Sequence, residues 1–392
     1  RDTYGKYARL MVERGHAYYC FCEKTESEEE SGQFDRAADP CRDLDPAQAQ
    51  ARVDAGEPYV IRQRIPEGGT TTFHDAIFGD ITVENSTLDD QVLIKRDGLP
   101  TYNFANVVDD HLMGITHVVR GSEYLSSAPK YDLLYQGFGW EVPTYVHCSP
   151  VMRDQHNKMS KRHGDPSYED LRAQGYLTEA ILNYVALLGW SPRGDQAERE
   201  VFSLEELSEI FDIAGISKSP AIFDIEKLTH FNALYLRAMT PERFAQVAEP
   251  YIRRTVTDPV LDTAAIAALL QARCERLTDI PEKVAFFQTL PAYEKDLFTN
   301  KKAKTNEEVA RTMLSAAIEA LEALPQWDQA SVHDCLIALA ERLGTKNATL
   351  MWPVRIAAAG QQVTPGGAVE ICAILGREEC LRRLRLGLEK LS

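Results

Sequence analysis

The stretch THVVRGSEYLSSAPKYDLLYQGFGWEVPTYVHC, residues 116–148, decides the fold. Residues 116–120 and Thr144–Cys148 are rich in β-branched and aromatic side chains and predict two strands, and residues 124–137 between them predict a helix. A strand, a helix and a second strand in this order indicate a βαβ unit with a parallel sheet. The stretch therefore predicts an α/β region, and such folds bind ligands at the carboxyl ends of their strands.

The residues before this βαβ unit predict a helix and then several short strands. Aromatic and apolar residues recur at i, i+3, i+4 and i+7 spacing from Tyr4 to Met11, so we expect a helix over residues 3–22. Short segments rich in strand-forming residues follow it, separated by turn residues, and indicate a small mixed insertion. These segments cover residues 59–64, 70–73, 80–83 and 91–95.

Beyond Pro150 the pattern is mainly helical. The segments 203–206 and 305–308 each fit a capping box, in which Ser or Thr exchanges hydrogen bonds with a Glu in the first turn of a helix. Gly344 and Gly376 stand where helices would end. The coarse prediction is an α/β region with an insertion, followed by helices to the end of the chain.

Composition limits the classes of function. The formal net charge is −16 over 392 residues, so a nucleic-acid binder would need locally segregated Lys and Arg. Eight scattered cysteines do not resemble a secreted disulfide framework, and we expect reduced thiols in a cytoplasmic protein. We find no apolar run of the ~18 residues that a membrane span needs. Because a helix pattern begins at once, without an initiator Met, we also expect that an N-terminal piece is missing.

One basic pentapeptide stands out, Lys158-Met159-Ser160-Lys161-Arg162, in the polar loop that follows the strand Thr144–Cys148. A cluster of Lys and Arg is most often a solvated surface loop. Its position just beyond a strand of an α/β region favours a second interpretation, in which the lysines of a mobile loop hold nucleotide phosphates.

This pentapeptide resembles the second signature of class I aminoacyl-tRNA synthetases, and its context is similar to that of the bacterial-type glutamyl-tRNA synthetases. The similarity includes GLPTYNFANVVDD at residues 98–110, ITHVVRGSE at 115–123 and WPVR at 352–355, and it extends over essentially the whole chain. The resemblance implies the second half of an α/β Rossmann-type catalytic domain with a mixed insertion, followed by an all-α anticodon-binding region.

The resemblance also implies a division into four parts. Residues 1–100 would hold the end of the first Rossmann half and the insertion that binds the acceptor stem, and residues 101–150 the second Rossmann half. Residues 151–239 would hold the signature loop and a helical stem-contact domain. Residues 240–392 would form the all-helical anticodon-binding domain.

The activity that the resemblance implies is that of a glutamate–tRNA ligase. Such an enzyme activates L-glutamate with ATP and Mg²⁺ to glutamyl-adenylate and transfers it to the 3′ end of tRNA(Glu), releasing AMP and diphosphate. The attacking carboxylate is already ionised at pH 7, so the protein must position the reactants and neutralise charge on phosphate. By resemblance Lys161 contacts the triphosphate with support from Lys158. The positions that the resemblance assigns to ATP are Lys158, Met159, Ser160, Lys161, Arg162, Met152 and Glu123.

Selection of glutamate over glutamine needs a group that grips a carboxylate but not an amide, and a guanidinium does so with two parallel hydrogen bonds. The resemblance assigns this role to Arg120, with Tyr102 and Asn106 in the same pocket. A purely structural role stays open for two of these residues. Arg120 would then form an ion pair with Asp109 or Asp110, and Tyr102 would only pack against its neighbours.

A zinc site is a further hypothesis. Cys20, Cys22, Cys41 and Asp43 resemble the zinc knuckle of some bacterial members, although many relatives have His where Asp43 stands. Two close thiolates with two distant ligands suit tetrahedral zinc. Three reduced cysteines in a loop explain the pattern equally well.

In the helical half, the resemblance assigns anticodon recognition to Arg355, Thr364, Pro365 and Gly367. Arg355 would read a base edge or a phosphate, and the turn at residues 364–367 would let backbone groups approach bases. The alternative structural interpretations are that Arg355 is a solvated helix residue and that residues 364–367 form an ordinary loop. Two basic clusters would supply the segregation of charge that RNA binding requires. They are Arg377, Arg382, Arg383 and Arg385, and then Lys301, Lys302 and Lys304, which would also fit a solvated loop.

The first class I signature, His-Ile-Gly-His or a variant, is not found in the sequence, and the family places it upstream of Arg1. Two alternatives to an active ligase therefore stay open: a catalytically silent tRNA-binding fragment, and a related enzyme that charges glutamine or modifies a tRNA base. The helical pattern after residue 240 argues against those relatives. We expect a monomer that binds tRNA(Glu), L-glutamate and ATP and does not associate with a membrane.

Overall fold

The structure is a computed structural model, and it describes residues 2–22 and 39–392. The chain forms two units: the first holds Arg1–Met159 and Ala186–Phe223, and the second holds Ser160–Val185 and Asp224–Ser392. The boundary between the units falls inside the basic pentapeptide. The described helices include none with the length and hydropathy that a membrane crossing requires.

The elements are numbered in chain order over the described residues. The strands are β1 (Ala17–Cys20), β2 (Val60–Gln63), β3 (Thr70–Asp75), β4 (Gly79–Glu84), β5 (Val92–Ile94), β6 (His117–Gly121), β7 (Thr144–Cys148), β8 (Val151–Met152) and β9 (Ala221–Ile222). The α-helices are α1 (Asp2–Glu13), α2 (Pro46–Asp54), α3 (Tyr102–Leu112), α4 (Ala128–Phe138), α5 (Tyr168–Ala173), α6 (Thr178–Leu187), α7 (Leu204–Ile210), α8 (Ile225–Ala238), α9 (Pro241–Ile252), α10 (Thr263–Leu270), α11 (Ile280–Gln288), α12 (Glu307–Glu322), α13 (Gln329–Arg342), α14 (Asn347–Ala359) and α15 (Ala368–Lys390).

The predicted βαβ unit is confirmed in the first unit. Strands β6 and β7 are parallel, with Arg120 opposite His147, and helix α4 connects them. The sheet has the order β4-β3-β7-β6, in which β3 is antiparallel to β4 and parallel to β7. The fully buried side chains of Asp75 and His147 join β3 to β7 through a hydrogen bond of 2.7 Å between Oδ2 and Nδ1. Arg120 and Glu123 therefore lie at the carboxyl end of a parallel strand pair.

The helix expected over residues 3–22 is wrong beyond Glu13. Gly15 adopts φ +78°, and its N–H and that of His16 donate to the carbonyls of Val12 and Met11, which ends α1 as a Schellman motif. Residues 17–20 then form β1, whose side chains are buried on both faces, so a helical surface would not suit them. Strands β1, β2 and β5 form a separate antiparallel sheet, whereas β3 and β4, which the sequence assigned to the insertion, belong to the sheet that contains β7.

The capping box at residues 203–206 is confirmed, since Ser203 and Glu206 exchange both hydrogen bonds at the start of α7. The one expected at 305–308 is wrong. Asn306 caps α12, and Thr305 instead exchanges two backbone hydrogen bonds with Asn300. The Thr305 hydroxyl is buried in that turn and makes no hydrogen bond among the described residues.

The second unit is helical, as predicted, around one hydrophobic core that helices α9 to α15 share. Gly344 follows α13 with φ +61°, where the sequence predicts a helix end. Gly376 has φ +76° and ψ 166° within α15, so it kinks that helix at the predicted end. Left-handed backbone of this kind favours glycine because it has no Cβ.

Candidate active site

Arg120 stands at the centre of the candidate site, near the end of β6. The carbon of its guanidinium lies 4.7 Å from the ring centroid of Tyr124, 5.4 Å from that of Tyr131 and 5.9 Å from that of Tyr102. Its Nη2 donates to the Tyr102 hydroxyl at 3.3 Å. The tyrosines attract the cation through their ring faces without neutralising it. Arg120 and Tyr102, which the sequence assigned to one pocket, thus lie together.

The ion pair between Arg120 and Asp109 or Asp110, left open above, does not occur among the residues that the structure describes. The Asp109 carboxylate instead accepts a hydrogen bond from Tyr4 at 2.9 Å. Burial raises the pKa of Asp110, and the nearby charge of Arg120 lowers it. The guanidinium is therefore free to pair with a carboxylate that is not part of the described chain.

Three buried polar atoms around Arg120 have no hydrogen-bond partner within the described chain: Arg120 Nη1, Asn106 Nδ2 and the Tyr135 hydroxyl. Buried polar groups are nearly always paired, because an unpaired one costs about 1–3 kcal/mol. Burial also raises the pKa of Tyr135, so its hydroxyl stays a neutral donor. Each of the three atoms can donate a hydrogen bond, which is what an anionic ligand would accept.

Lys158 lies on a hairpin that follows β7. Arg153 N donates to Asn157 O at 2.8 Å, and Met159 N donates to Val151 O at 3.1 Å. Asp154 closes the turn, and hydrogen bonds from Asn157 and His156 lower the pKa of its carboxyl to about 2. The backbone of Lys158 pairs with that of half-buried Met152 in β8. The predicted ATP residues Met152 and Lys158 are therefore neighbours.

Glu123 meets Lys158 across this site. Lys158 Nζ lies 3.3 Å from Glu123 Oε1, and both side chains are more than half exposed. The pKa of Glu123 is lowered by its own backbone N–H first and by Lys158 next. An exposed pair of this kind contributes at most ~1 kcal/mol, so a phosphate can compete for the lysine.

Gly121 makes room for Glu123. A Cβ at Gly121 would collide with the Glu123 carboxylate, which folds back over the glycine. The φ of Gly121 is −68°, an ordinary value, and the exposed carboxylate of Glu123 could move aside, so neither backbone conformation nor space requires glycine here.

The last three residues of the pentapeptide, Ser160, Lys161 and Arg162, lie in the second unit. Ser160 caps a short 3₁₀ helix, Lys161–His163, by accepting a hydrogen bond from Arg162 N, and its own N–H donates to Asp165 at 2.7 Å. Lys161 and Arg162 are exposed. Both cations therefore remain accessible, as phosphate-binding residues must be.

A cluster of thiols forms in the first unit from Cys20, Cys22, Cys41 and Asp39. One candidate ligand atom from each lies within 4.8 Å of the others. Cys22 Sγ is 3.6 Å from Cys41 Sγ and 3.5 Å from Asp39 Oδ1. The expected fourth ligand is corrected: Asp43 points away, with its side chain 79% exposed and 3.7 Å from Arg64.

The donors of this cluster fit a zinc ion. Three sulfurs and one carboxylate oxygen make a closed tetrahedral set, and thiolates at zinc lie close together because Zn–S bonds are ~2.3 Å. Burial raises the pKa of Cys20 and Cys22, so the thiols stay protonated until a cation stabilises their charge. Tyr18 donates to Asp39 Oδ2 at 2.9 Å and orients the carboxylate.

The residues assigned to the anticodon also come together in the second unit. Arg355 Nη1 donates to Thr364 Oγ1 at 2.8 Å, and its guanidinium lies 4.7 Å from the Trp352 ring. Burial lowers the pKa of Arg355. Thr364 and Pro365 line a cavity of about 450 Å³, and Gly367 is the N-cap position of α15.

The arginine cluster near the C-terminus does not form the basic surface that the sequence suggested. Arg383 is fully buried and donates to the carbonyls of Phe286, Phe287 and Ala358. Its neighbours are also engaged: Arg377 donates to Leu324 O, Arg382 pairs with Glu379 and Arg385 pairs with Glu322. Arg382 and Arg385 are exposed, as are the three lysines of the other cluster, but both arginines are paired with carboxylates.

Sequence reasoning missed several residues of the candidate site. Tyr124, Tyr131 and Tyr135 surround Arg120, and Asp39 replaces Asp43 beside the thiols. Tyr131 and Tyr135 lie one turn apart in α4, so their shared face was a usable signal. Nothing in the local pattern distinguished Asp39.

Two family models match the chain. One is described as tRNA synthetases class I (E and Q), catalytic domain, and covers residues 1–230; the other is described as an anticodon binding domain and covers residues 243–388. The chain is 50% identical over 401 residues to the glutamate–tRNA ligase of Clostridium botulinum strain Hall, covering 100% of this chain and 81% of that protein. The same enzyme of Clostridium tetani is 50% identical over 398 residues, with the same coverage.

Solved structures agree with these matches. A glutamate tRNA ligase from Elizabethkingia meningosepticum, solved in complex with its amino acid, superposes with a TM-score of 0.87 at 29% identity, covering 100% of this chain and 83% of that one. The glutamate-tRNA synthetase of Elizabethkingia anophelis gives a TM-score of 0.85 at 28% identity, covering 99% and 82%. The fold class predicted from the sequence is therefore confirmed.

Proposed function

This chain belongs to the glutamate–tRNA ligases among the class I aminoacyl-tRNA synthetases, and we propose that it joins L-glutamate to tRNA(Glu) with Arg120 as the selective residue. The observation that carries the proposal is the buried, unpartnered Nη1 of Arg120 among aromatic rings of the described chain. The side-chain carboxylate of glutamate fills that position with two parallel hydrogen bonds, and Tyr102 and Asn106 donate to the same ligand. Glutamine is disfavoured because its amide offers only one acceptor oxygen.

ATP and Mg²⁺ are the cosubstrate and ion that a class I synthetase uses. We assign Lys158 and Lys161 to the phosphates, and Met152, Glu123, Met159, Ser160 and Arg162 to the surrounding ATP site. The α-carboxylate of glutamate attacks the α-phosphorus, a P–O bond forms, and the bond to pyrophosphate breaks. Lys158 and Lys161 neutralise the charge that builds on the phosphate oxygens, and no side chain has to remove a proton. Magnesium would share that neutralisation.

A charging assay tests this assignment. We expect ATP-dependent formation of glutamyl-tRNA when the whole encoded protein is mixed with L-glutamate and tRNA(Glu), and at least about a hundredfold lower kcat/KM with glutamine. Tight tRNA binding without charging would instead support the fragment alternative. Equal use of both amino acids would overturn the role of Arg120.

Zinc content measured after replacement of single residues tests the thiol cluster as a metal site. If zinc occupies the cluster, Cys22→Ser and Asp39→Ala should each lower bound zinc, measured by mass spectrometry of dialysed protein, and lower the thermal midpoint of the first unit. Asp43→Ala is the matched control and should keep the metal, because Asp43 faces Arg64. If the natural protein contains no metal, the zinc hypothesis is wrong and the cluster consists of three reduced cysteines.

We further propose that Arg355, Thr364, Pro365 and Gly367 contact the anticodon in the second unit. Loss of one base or phosphate contact costs about 1–3 kcal/mol, so Arg355→Ala should raise the KM for tRNA(Glu) about tenfold or more, with KM for glutamate and ATP unchanged. Steady-state charging kinetics measure this. Arg311, exposed on α12, is a control whose replacement should change none of the three constants.

A further inference from the structure

A closed ring of hydrogen bonds lies behind the candidate site. Tyr131 OH donates to Asn103 Oδ1 at 2.7 Å, and Asn103 Nδ2 donates to Gln91 Oε1 at 3.0 Å. Gln91 Nε2 donates to Gln63 Oε1 at 2.7 Å, and Gln63 Nε2 donates to the carbonyl of Lys130 at 2.9 Å. Lys130 precedes Tyr131 in α4, so the chain of donors returns to its starting point. The ring ties β2, α3 and α4 together.

The ring permits one arrangement of its members. Tyr131, Gln63 and Gln91 are 1%, 2% and 7% exposed, so water has little access to these three side chains, whereas Asn103 is half-buried. Each amide uses its oxygen as an acceptor and its nitrogen as a donor, and turning one amide over would set two acceptors or two donors against each other. A network in which the oxygen and the nitrogen of each amide are paired restrains the side chains that belong to it.

Tyr131 carries this fixed geometry to Arg120. Its ring centroid lies 5.4 Å from the guanidinium carbon. Burial raises the pKa of Tyr131, so the hydroxyl remains a proton donor to Asn103. Tyr102 contrasts with it, since that side chain is 59% exposed and has no anchor of comparable depth.

We propose that Tyr131 is a positioning residue for amino-acid selection, which the Asn103–Gln91–Gln63 ring holds against the guanidinium of Arg120. The proposal rests on the role of Arg120 given above. A guanidinium grips a carboxylate with two bonds only when its plane is correctly turned, so a rotation weakens binding of glutamate more than that of a neutral amino acid. Tyr131 touches no substrate in this proposal.

Tyr131→Phe tests the proposal because it keeps the ring and removes the hydroxyl. Asn103 loses its donor, and we expect the KM for glutamate to rise about tenfold, the scale of one buried hydrogen bond. The preference for glutamate over glutamine should fall by a similar factor. The KM for ATP should stay within about twofold. Charging kinetics with both amino acids and tRNA(Glu) give all of these values.

Tyr176→Phe is the matched control. Tyr176 is also 1% exposed, and its hydroxyl lies 2.8 Å from Thr229 Oγ1 in the second unit. Its loss should alter neither KM nor the preference between amino acids, although it removes a comparable hydrogen bond. Thermal unfolding of both variants checks that each remains folded.

A double-mutant cycle tests whether the ring acts as a unit. Asn103→Leu should reproduce the effect of Tyr131→Phe on the glutamate KM, and the double variant should be little worse than either single one. The proposal fails if Tyr131→Phe leaves the KM for glutamate and the preference unchanged while Arg120→Lys alters both. If Arg120→Lys alters neither, the assignment of Arg120 itself fails.

Discussion

Replacement of Arg120 by alanine is expected to lower kcat/KM for glutamate by about 10²–10³-fold while the KM for ATP stays within about twofold. Truncation of one partner of a desolvated, hydrogen-bonded charge pair typically costs about 2–5 kcal/mol. Arg120 can form such a pair, because its Nη1 is buried and has no hydrogen-bond partner among the described residues.

Two further variants separate charge from geometry. Arg120→Lys keeps the positive charge but loses the planar fork, so its glutamate KM should fall between those of the natural protein and the alanine variant. Arg193→Ala is a control, since Arg193 is an exposed arginine of the same unit at the limit of ion-pair distance from Asp212. Equal losses for glutamate and ATP in Arg120→Ala, with a lowered thermal midpoint, would indicate misfolding and contradict the assignment.

Local sequence pattern was sufficient wherever local forces decide the structure. Strand Thr144–Cys148 has the predicted bounds, and the capping box at Ser203 forms as expected, because β-branched runs and caps act over a few neighbours. Tyr102 and Asn106 lie on one face of α3 because they are four positions apart. The side chains of the candidate site that belong to motifs were therefore predictable.

The sequence predictions fail where residues that are distant in the chain determine the structure. The helix expected to reach residue 22 ends at Gly15, and burial between other segments makes residues 17–20 a strand. Arg383 counted as a surface cation in the sequence, but three backbone carbonyls from two other helices surround it. Tertiary packing overrides periodicity at both positions.

The residues of the candidate site that the sequence did not predict were missed for the same reason. The Asp39 carboxylate accepts hydrogen bonds from Cys41 N–H, two residues along the chain, and from the Tyr18 hydroxyl, and the second contact does not follow from spacing. Tyr131 reaches Arg120 only because α4 folds back onto β6. A motif specifies which residues touch a ligand, whereas the residues that orient them depend on the whole fold.

The other large effect is expected from the lysines of the pentapeptide. Lys158→Ala and Lys161→Ala should each lower kcat for glutamyl-tRNA formation by about 10²–10³-fold, the scale seen when one donor to a transition-state oxyanion is removed. The loss should appear in kcat more than in the KM for glutamate, because phosphate charge develops during the reaction. Single-turnover formation of glutamyl-adenylate in the presence of tRNA(Glu) measures the affected step directly.

Lys95→Ala supplies the control, since Lys95 is a half-exposed lysine of the first unit whose neighbour is Asp97. Its loss should leave kcat unchanged.

Glu123→Gln tests whether Glu123 and the phosphates of ATP compete for Lys158, because the Lys158 ammonium lies 3.3 Å from the Glu123 carboxylate. If that pair restrains Lys158, the neutral variant should lower the KM for ATP at low ionic strength, and added salt should narrow the difference. Unchanged kcat in Lys158→Ala and Lys161→Ala would place the phosphates elsewhere and remove the pentapeptide from the mechanism.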